Sequence, residues 1–239
     1  MKGAFSSPDE VLEREIMNHL FPDTTYGCES GGDPKNIPDL TYENFLNFHR
    51  TYYHPSNSYI YLYGNMDMEE KLAFLDEHYL SHFDYLDVDS VIQEQKAFGA
   101  CQDVTLEYPV AENEGEEDNT YLSYNMVVGN AADSQMAMAF EVLDYALLSA
   151  PGAPLKQALL DVKAGKDVYG SYDDGILQPY FTVIAKGSNP DRKEEFVSVI
   201  RQVLGDIVKN GIDRKAVEAG INYFEFRYRE ADFSSYPKG

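Results

Sequence analysis

The sequence is short of cysteine, of positive charge and of long apolar runs, and each shortage excludes something. Two cysteines in 239 residues, Cys28 and Cys101, cannot make a disulfide framework. One bridge is arithmetically possible, but two buried thiols in a reducing compartment are the expectation. Lys and Arg number 19 against 41 Asp and Glu, a net charge of −22. A field of that sign repels phosphates and anionic headgroups, and no local basic patch offsets it. Neither nucleic acid nor a membrane surface is therefore an expected partner. The longest apolar stretches, such as Ile60-Tyr61-Leu62-Tyr63, fall far short of a membrane span. No Asn-x-Ser/Thr sequon occurs, and no long apolar region follows Met1-Lys2-Gly3-Ala4-Phe5 as it would in a signal peptide. A soluble, intracellular protein is expected, cytoplasmic or, in a eukaryote, inside an organelle.

What is present is ordinary globular material. Hydrophobic residues make up 44% and charged ones 25%, which excludes disorder by composition. A chain of this length buries roughly 70% of its surface on folding, enough for one large domain or two ordinary ones.

The chain reads as alternating helices and strands. Pro8, Asp9 and Glu10 suit a first turn, and Val11, Leu12, Ile16 and Leu20 supply the stripe of a helix over 8–20. Residues 24–38 hold Gly, Asp, Ser and Pro and form a loop. Thr41 caps a second helix to about Tyr53, with Phe45, Phe48 and Tyr52 on one face. Residues 58–64 are aromatic and branched with almost no polar alternation, the pattern of a strand covered on both faces. Asp67 with Glu70 makes a capping-box-like start for a third helix to about His82.

Residues 84–100 lose periodicity and are expected to link two modules. Strands are expected at 103–109 and 120–128, around an acidic turn at 111–119 read as a solvated tip. A helix over 134–149 carries Met136, Phe140, Leu143 and Leu147 at helical spacing, with Met136 and Met138 as core filler. Pro154 starts a short helix to about Ala164, and strands at 167–172 and 180–186 flank the turn Asp173-Asp174-Gly175. Phe196, Val199, Ile200, Val203, Leu204 and Ile207 stripe a long helix ending at Gly211. Asp213 caps the last helix, with stripe Val217, Ile221, Phe224 and Tyr228. Hairpin-paired strands interleaved with helices indicate an α+β fold, antiparallel-rich sheets with helices on one face.

Spacing alone identifies no active site. His78 and His82 stand four apart on the third expected helix, a separation from which two ligands can reach one metal. But His78-Tyr79-Leu80-Ser81-His82 has no glutamate between the histidines and no third ligand nearby, so a structural role is the better reading. His49 and His54 flank a helix end, where exposed carbonyls explain them, and His19 is isolated. There is no nucleophile elbow, and Gly31-Gly32 is too short for a phosphate loop.

Several stretches taken together resemble a known family. They are Met1-Lys2-Gly3-Ala4-Phe5-Ser6-Ser7-Pro8, Leu20-Phe21-Pro22-Asp23-Thr24-Thr25-Tyr26-Gly27, Ser30-Gly31-Gly32-Asp33-Pro34 and Phe48-His49-Arg50-Thr51-Tyr52-Tyr53-His54-Pro55-Ser56-Asn57. Leu177-Gln178-Pro179-Tyr180-Phe181, Ala216-Val217-Glu218-Ala219 and Tyr236-Pro237-Lys238-Gly239 continue the match. In order and almost throughout, the chain resembles the presequence-protease branch of the pitrilysin/insulinase superfamily of zinc metallopeptidases.

The resemblance implies two repeats of the processing-peptidase-like fold, the first incomplete. Residues 1–83 would be the C-terminal part of a first, catalytic domain, 84–100 a linker and 101–239 a truncated second domain. It implies a longer parent whose four such domains close around a chamber for unfolded peptides. There, zinc and a motif glutamate activate water against a peptide carbonyl. The parent's zinc motif, His-x-x-Glu-His, is absent here, and its ligand glutamate would fall immediately before Met1. No catalytic or metal residue carries over, and Glu10, Glu13 and Glu15 are explained by helix position. Ser30, Gly31 and Gly32 are the candidate peptide-contact residues. The expected partners are peptide substrates and the parent's remaining domains, with self-association through faces those domains would cover. The excess negative charge reads as solubility charge, ahead of steering for basic peptides. The alternatives are a non-catalytic binding or scaffolding module of the same fold and, last, an independent metalloenzyme using His78 and His82.

Overall fold

Three of the expected strands meet in one antiparallel sheet. In the computed structural model, which describes residues 7–110 and 115–230, these are β1 (Thr120–Val127), β2 (Asp167–Asp173) and β3 (Tyr180–Ser188). Their order is β1-β3-β2, so β3 is central and pairs on both sides. Opposite partners such as Tyr124↔Val183 and Gly170↔Val183 fix the register. Because side chains alternate across a strand, Phe181, Val183 and Ala185 share one face and Thr182, Ile184 and Lys186 the other.

The first face is the core. Leu122, Val168, Phe181 and Val183 pack with Leu147, Leu148, Leu155, Leu159, Phe196 and Ile200 from helices. Each such burial contributes about 1.5–3 kcal/mol. Leu147 and Leu148 come from the π turn Tyr145–Ser149 that follows α4 (Ser134–Asp144), and the others from α5 (Pro154–Asp161) and α6 (Lys193–Asn210), with α7 (Arg214–Glu230) after them. The stripe expected on α6 is the one it buries. Gly211, at φ 84°, ends that helix, donating its amide to Ile207.

The helix expected over 134–149 is α-helical only to Asp144 and then widens into a π turn over Tyr145–Ser149. That turn carries Ala146, Leu147 and Leu148 into the core together. Gly170 makes the fit possible: a Cβ there would stand 2.4 Å from a Leu148 methyl. Met136 and Met138 are exposed and not core filler, because α4 turns Phe140 and Leu143 to the core instead. On α7 the contact line runs through Val217, Gly220 and Phe224, while Ile221 and Tyr228 are exposed. Gly220 decides this, since it lets α7 approach Val142 and Tyr145 of the preceding elements.

The chain divides into two compact units, Met1–Cys28 together with Glu94–Gly239, and Glu29–Gln93. Helix α1 (Pro8–Leu20) belongs to the first, and Asp9 reaches Lys186 on the sheet's second face. The second unit holds α2 (Tyr42–Tyr52), capped by Thr41 Oγ1, and α3 (Met68–His78), capped by Asp67 Oδ1. None of residues 29–93 is buried.

Two expected strands do not form. Residues 58–64 carry no helix or strand and have no ladder neighbour among the described residues, and their Tyr and Ile side chains stand exposed. A strand pattern needs a partner strand before it becomes a strand. Residues 103–109 are likewise irregular. Asp103 pairs with Lys193 on α6, and the Tyr108 hydroxyl donates to the Asn119 carbonyl. Residues 84–100 carry no helix or strand. Both cysteines are free, but exposed and not buried, since each lies in a stretch outside the core. The stretches 1–6 and 231–239, and 111–114 of the acidic turn, lie outside the described residues.

Candidate functional site

The three candidate peptide-contact residues fall in one tight turn of the second unit. Glu29 organises it: its carbonyl accepts the Gly32 amide at 3.1 Å and its carboxylate the Gly31 amide at 3.2 Å. Gly32 has φ 81°, which an L side chain rarely adopts, and a Cβ there would press on Ile37 at 3.2 Å. Asp33 continues the turn by accepting from the Lys35 amide at 2.8 Å. Ser30 and Gly31 are exposed, and Gly32 is half-buried. The turn spends the two glycine amides internally, so what it can offer an extended peptide is the Ser30 hydroxyl and backbone carbonyls. It holds no nucleophile with a base.

The histidines do not converge. The helix expected to run to about His82 ends at His78, because Tyr79 leaves helical geometry at φ −141° and ψ −65°. His82 lies in a separate 3-10 turn, Leu80–His82, so the two histidines share no helix face. The His78 ring packs on Phe74, and His49 stacks on Tyr53 with centroids 4.8 Å apart. His54 does not serve the end of α2; its Nδ1 accepts the Ser56 amide and caps the next turn. His19 reaches back to the Glu15 carbonyl at 2.7 Å. Among the described residues no group of three or more His, Cys, Asp or Glu is placed to hold a metal ion. The described residues of this chain do not fit a zinc centre.

Electrostatically distinctive groups lie elsewhere, at positions that no motif spacing marks. Asp144 ends α4 half-buried, with its Oδ1 without a hydrogen-bond partner and its Oδ2 accepting from Ser149 at 3.4 Å. Burial pushes its carboxyl up to about 6. On the sheet's second face, Asp9, Lys186 and Tyr169 form a cluster, and burial together with the Asp9 charge pushes Tyr169 up to about 12. Sequence reasoning also missed Gln95, a buried polar residue in the expected linker.

Comparison with known proteins identifies the fold's family. Residues 39–224 match the family described as "Peptidase M16 inactive domain". The chain is 48% identical over 239 residues to Protein HypA of Clostridium perfringens, covering all of this chain and 25% of that protein. It is 37% identical over 243 residues to Presequence protease 1, chloroplastic/mitochondrial, of Arabidopsis thaliana, of which it covers 22%. It thus spans about a quarter of the length of these curated relatives. Among solved structures, an M16-like peptidase from Alicyclobacillus acidocaldarius superposes with a TM-score of 0.65 at 18% identity, covering 96% of this chain and 53% of that one. A peptidase M16 inactive domain from Pseudomonas fluorescens gives 0.61 at 16%, over 93% and 52%. With a family match across most of its length, the chain belongs to the M16 peptidases, the pitrilysin/insulinase superfamily, on its presequence-protease branch.

Proposed function

We propose that this chain is the part of a zinc-dependent endopeptidase that follows the metal-binding motif. Residues 1–83 are the C-terminal part of the catalytic domain, 84–100 the linker and 101–239 the second domain, which does no chemistry itself. The whole protein degrades unfolded peptides in a closed chamber, in the cytoplasm or an organelle interior, and the chain alone is inactive. The observation that carries this reading is the inactive-domain match over 39–224 in a chain a quarter the length of its relatives. The uncovered aromatic surface of residues 29–93 supports it, because a helix pair with no buried residue needs further chain to pack against. In this reading the turn at Ser30, Gly31 and Gly32 contacts the peptide backbone, and the zinc supplies Lewis-acid activation of water from residues this chain does not hold.

A non-catalytic binding module of the same fold is the second reading, favoured by the complete core of the sheet unit. One experiment separates them: hydrolysis of an unstructured fluorogenic peptide by the longer polypeptide and by the 239-residue chain, with and without chelator. A chelator-sensitive long form beside an inactive chain is expected. Hydrolysis by the chain alone overturns the proposal, and an inactive long form that still binds the peptide moves the assignment to the binding module.

A further inference from the structure

Between Phe21 and Leu122, among the described residues, one side chain is buried, and it is polar. Gln95 is 7% exposed in a stretch without helix or strand. An uncharged amide is buried without loss only where its donors and acceptor are matched, and here they are. The Gln95 Oε1 accepts the Asp23 amide at 2.8 Å, and Nε2 donates to Asp23 Oδ2 at 2.8 Å and to the Lys96 carbonyl at 3.3 Å. Its backbone is spent as well: the amide donates to Gln178 Oε1 at 2.6 Å, and the carbonyl accepts from Gln178 Nε2 at 3.3 Å.

Gln95 therefore binds Asp23 with its side chain and Gln178 with its backbone, two residues 155 apart, reciprocally on both sides. The surrounding groups reinforce the same join. The Tyr26 hydroxyl accepts the Leu177 amide at 3.2 Å. Phe21, fully buried, meets Tyr26 and Tyr180 edge-on at 5.9 and 6.1 Å. Gly27 lies so near the Phe21 carbonyl that a Cβ would stand 2.3 Å from it. This accounts for two sequence blocks that no site absorbed, 20–27 and 177–181.

The position of this join in the chain gives it a consequence. The backbone leaves the first unit after Cys28 and returns to it at Glu94. Asp23 lies five residues before the exit, and Gln95 is one residue past the re-entry. We propose that Gln95 is a clamp that fastens both ends of the excursion to the β2–β3 turn. It marks the edge of a cooperative unit: residues 29–93 open without releasing α1 or the sheet. A unit with no buried residue has low opening free energy, and a clamped boundary is what keeps that opening local.

Hydrogen exchange on the 239-residue chain tests this. Peptides covering 21–28 and 94–98 are expected to exchange with the slow class of β3, and peptides within 42–78 much faster. In Gln95→Ala, residues 21–28 are expected to exchange about tenfold faster or more, the loss of three side-chain hydrogen bonds, with β1 and β3 unchanged. Gln178→Ala, which spares the Gln95–Asp23 bonds, is expected to give a smaller acceleration of the same segments. The inference is overturned if residues 21–28 already exchange with 29–93 in the unaltered chain, if Gln95→Ala leaves them slow, or if it accelerates the whole sheet uniformly. Should Gln95→Ala fail to fold, the Gln178→Ala pattern decides by the same criteria.

Discussion

Lys186 on β3 and Asp9 on α1, 177 positions apart, form an ion pair with Nζ 2.8 Å from Oδ2 and 3.1 Å from Oδ1. The Tyr169 hydroxyl lies 3.4 Å from the same carboxylate, and the Tyr121 ring lies under the ammonium at 5.2 Å. The pair ties the first helix to the sheet face opposite the core, yet both side chains remain partly exposed, so solvent screens it.

Removing it should therefore cost little. Asp9→Asn is expected to lower unfolding stability by about 0.5–1 kcal/mol at low salt and by less at 1 M salt. Urea unfolding at the two ionic strengths measures this. A loss that does not shrink with salt would mean that the carboxylate acts through packing.

Asp144 makes a pH prediction with a definite sign. Burial holds its carboxyl at about 6 in the folded chain, above the ordinary aspartate range of about 4, so the folded state binds the proton more tightly. Its favourable contribution is full below about pH 4 and is lost as pH rises through about 6. Asp144→Asn, which keeps the shape without the charge, should flatten stability between these values. At pH 7.5 it should gain about 1–2 kcal/mol, allowing for partial exposure. Chemical denaturation at pH 4.5 and 7.5 reads both, and unchanged pH dependence would show that the carboxyl is solvated.

Gly170 leaves no room for a side chain. A Cβ would stand 2.3 Å from the Thr182 carbonyl and 2.4 Å from Leu148, against the π turn on one side and the central strand on the other. Gly170→Ala should destabilise by about 1–3 kcal/mol, since backbone and a core leucine must both shift. Phe196→Ala, which empties a buried site on α6, should cost about 3–5 kcal/mol. Denaturant midpoints give the comparison.

The 239-residue chain should self-associate. Phe45, Phe48, Tyr59, Tyr61 and Phe74 are all exposed within 29–93, and the aromatic segment 58–64 pairs with no strand among the described residues. Light scattering behind size exclusion should show mass rising with concentration, and Tyr61→Lys should reduce it. A monomer at high concentration would count against this.

Much of the fold was legible because its cause is local. Capping by Thr41 and Asp67, the stripe of α6 and the turn at Asp173 each rest on residues within a few positions of one another. The candidate site was legible only as a motif. Sequence put Ser30, Gly31 and Gly32 together, but it could not show that Glu29 already occupies the Gly31 and Gly32 amides. The strands expected at 58–64 and 103–109 failed for the opposite reason: strand pattern is local, whereas pairing depends on a distant neighbour.

The sequence by itself determined the helices, the three paired strands, the absence of a nucleophile elbow and, through its ordered motifs, the M16 relationship. Each follows from short-range periodicity or from residue blocks readable in order. Only the tertiary structure decided that α1 lies with the sheet, that Gln95 is buried and fully bonded, and that Tyr79 separates His78 from His82. The first two depend on contacts between residues 70 to 180 positions apart, and no local pattern encodes which polar group will be desolvated. The third depends on a single backbone conformation, which a helical stripe running past it does not register.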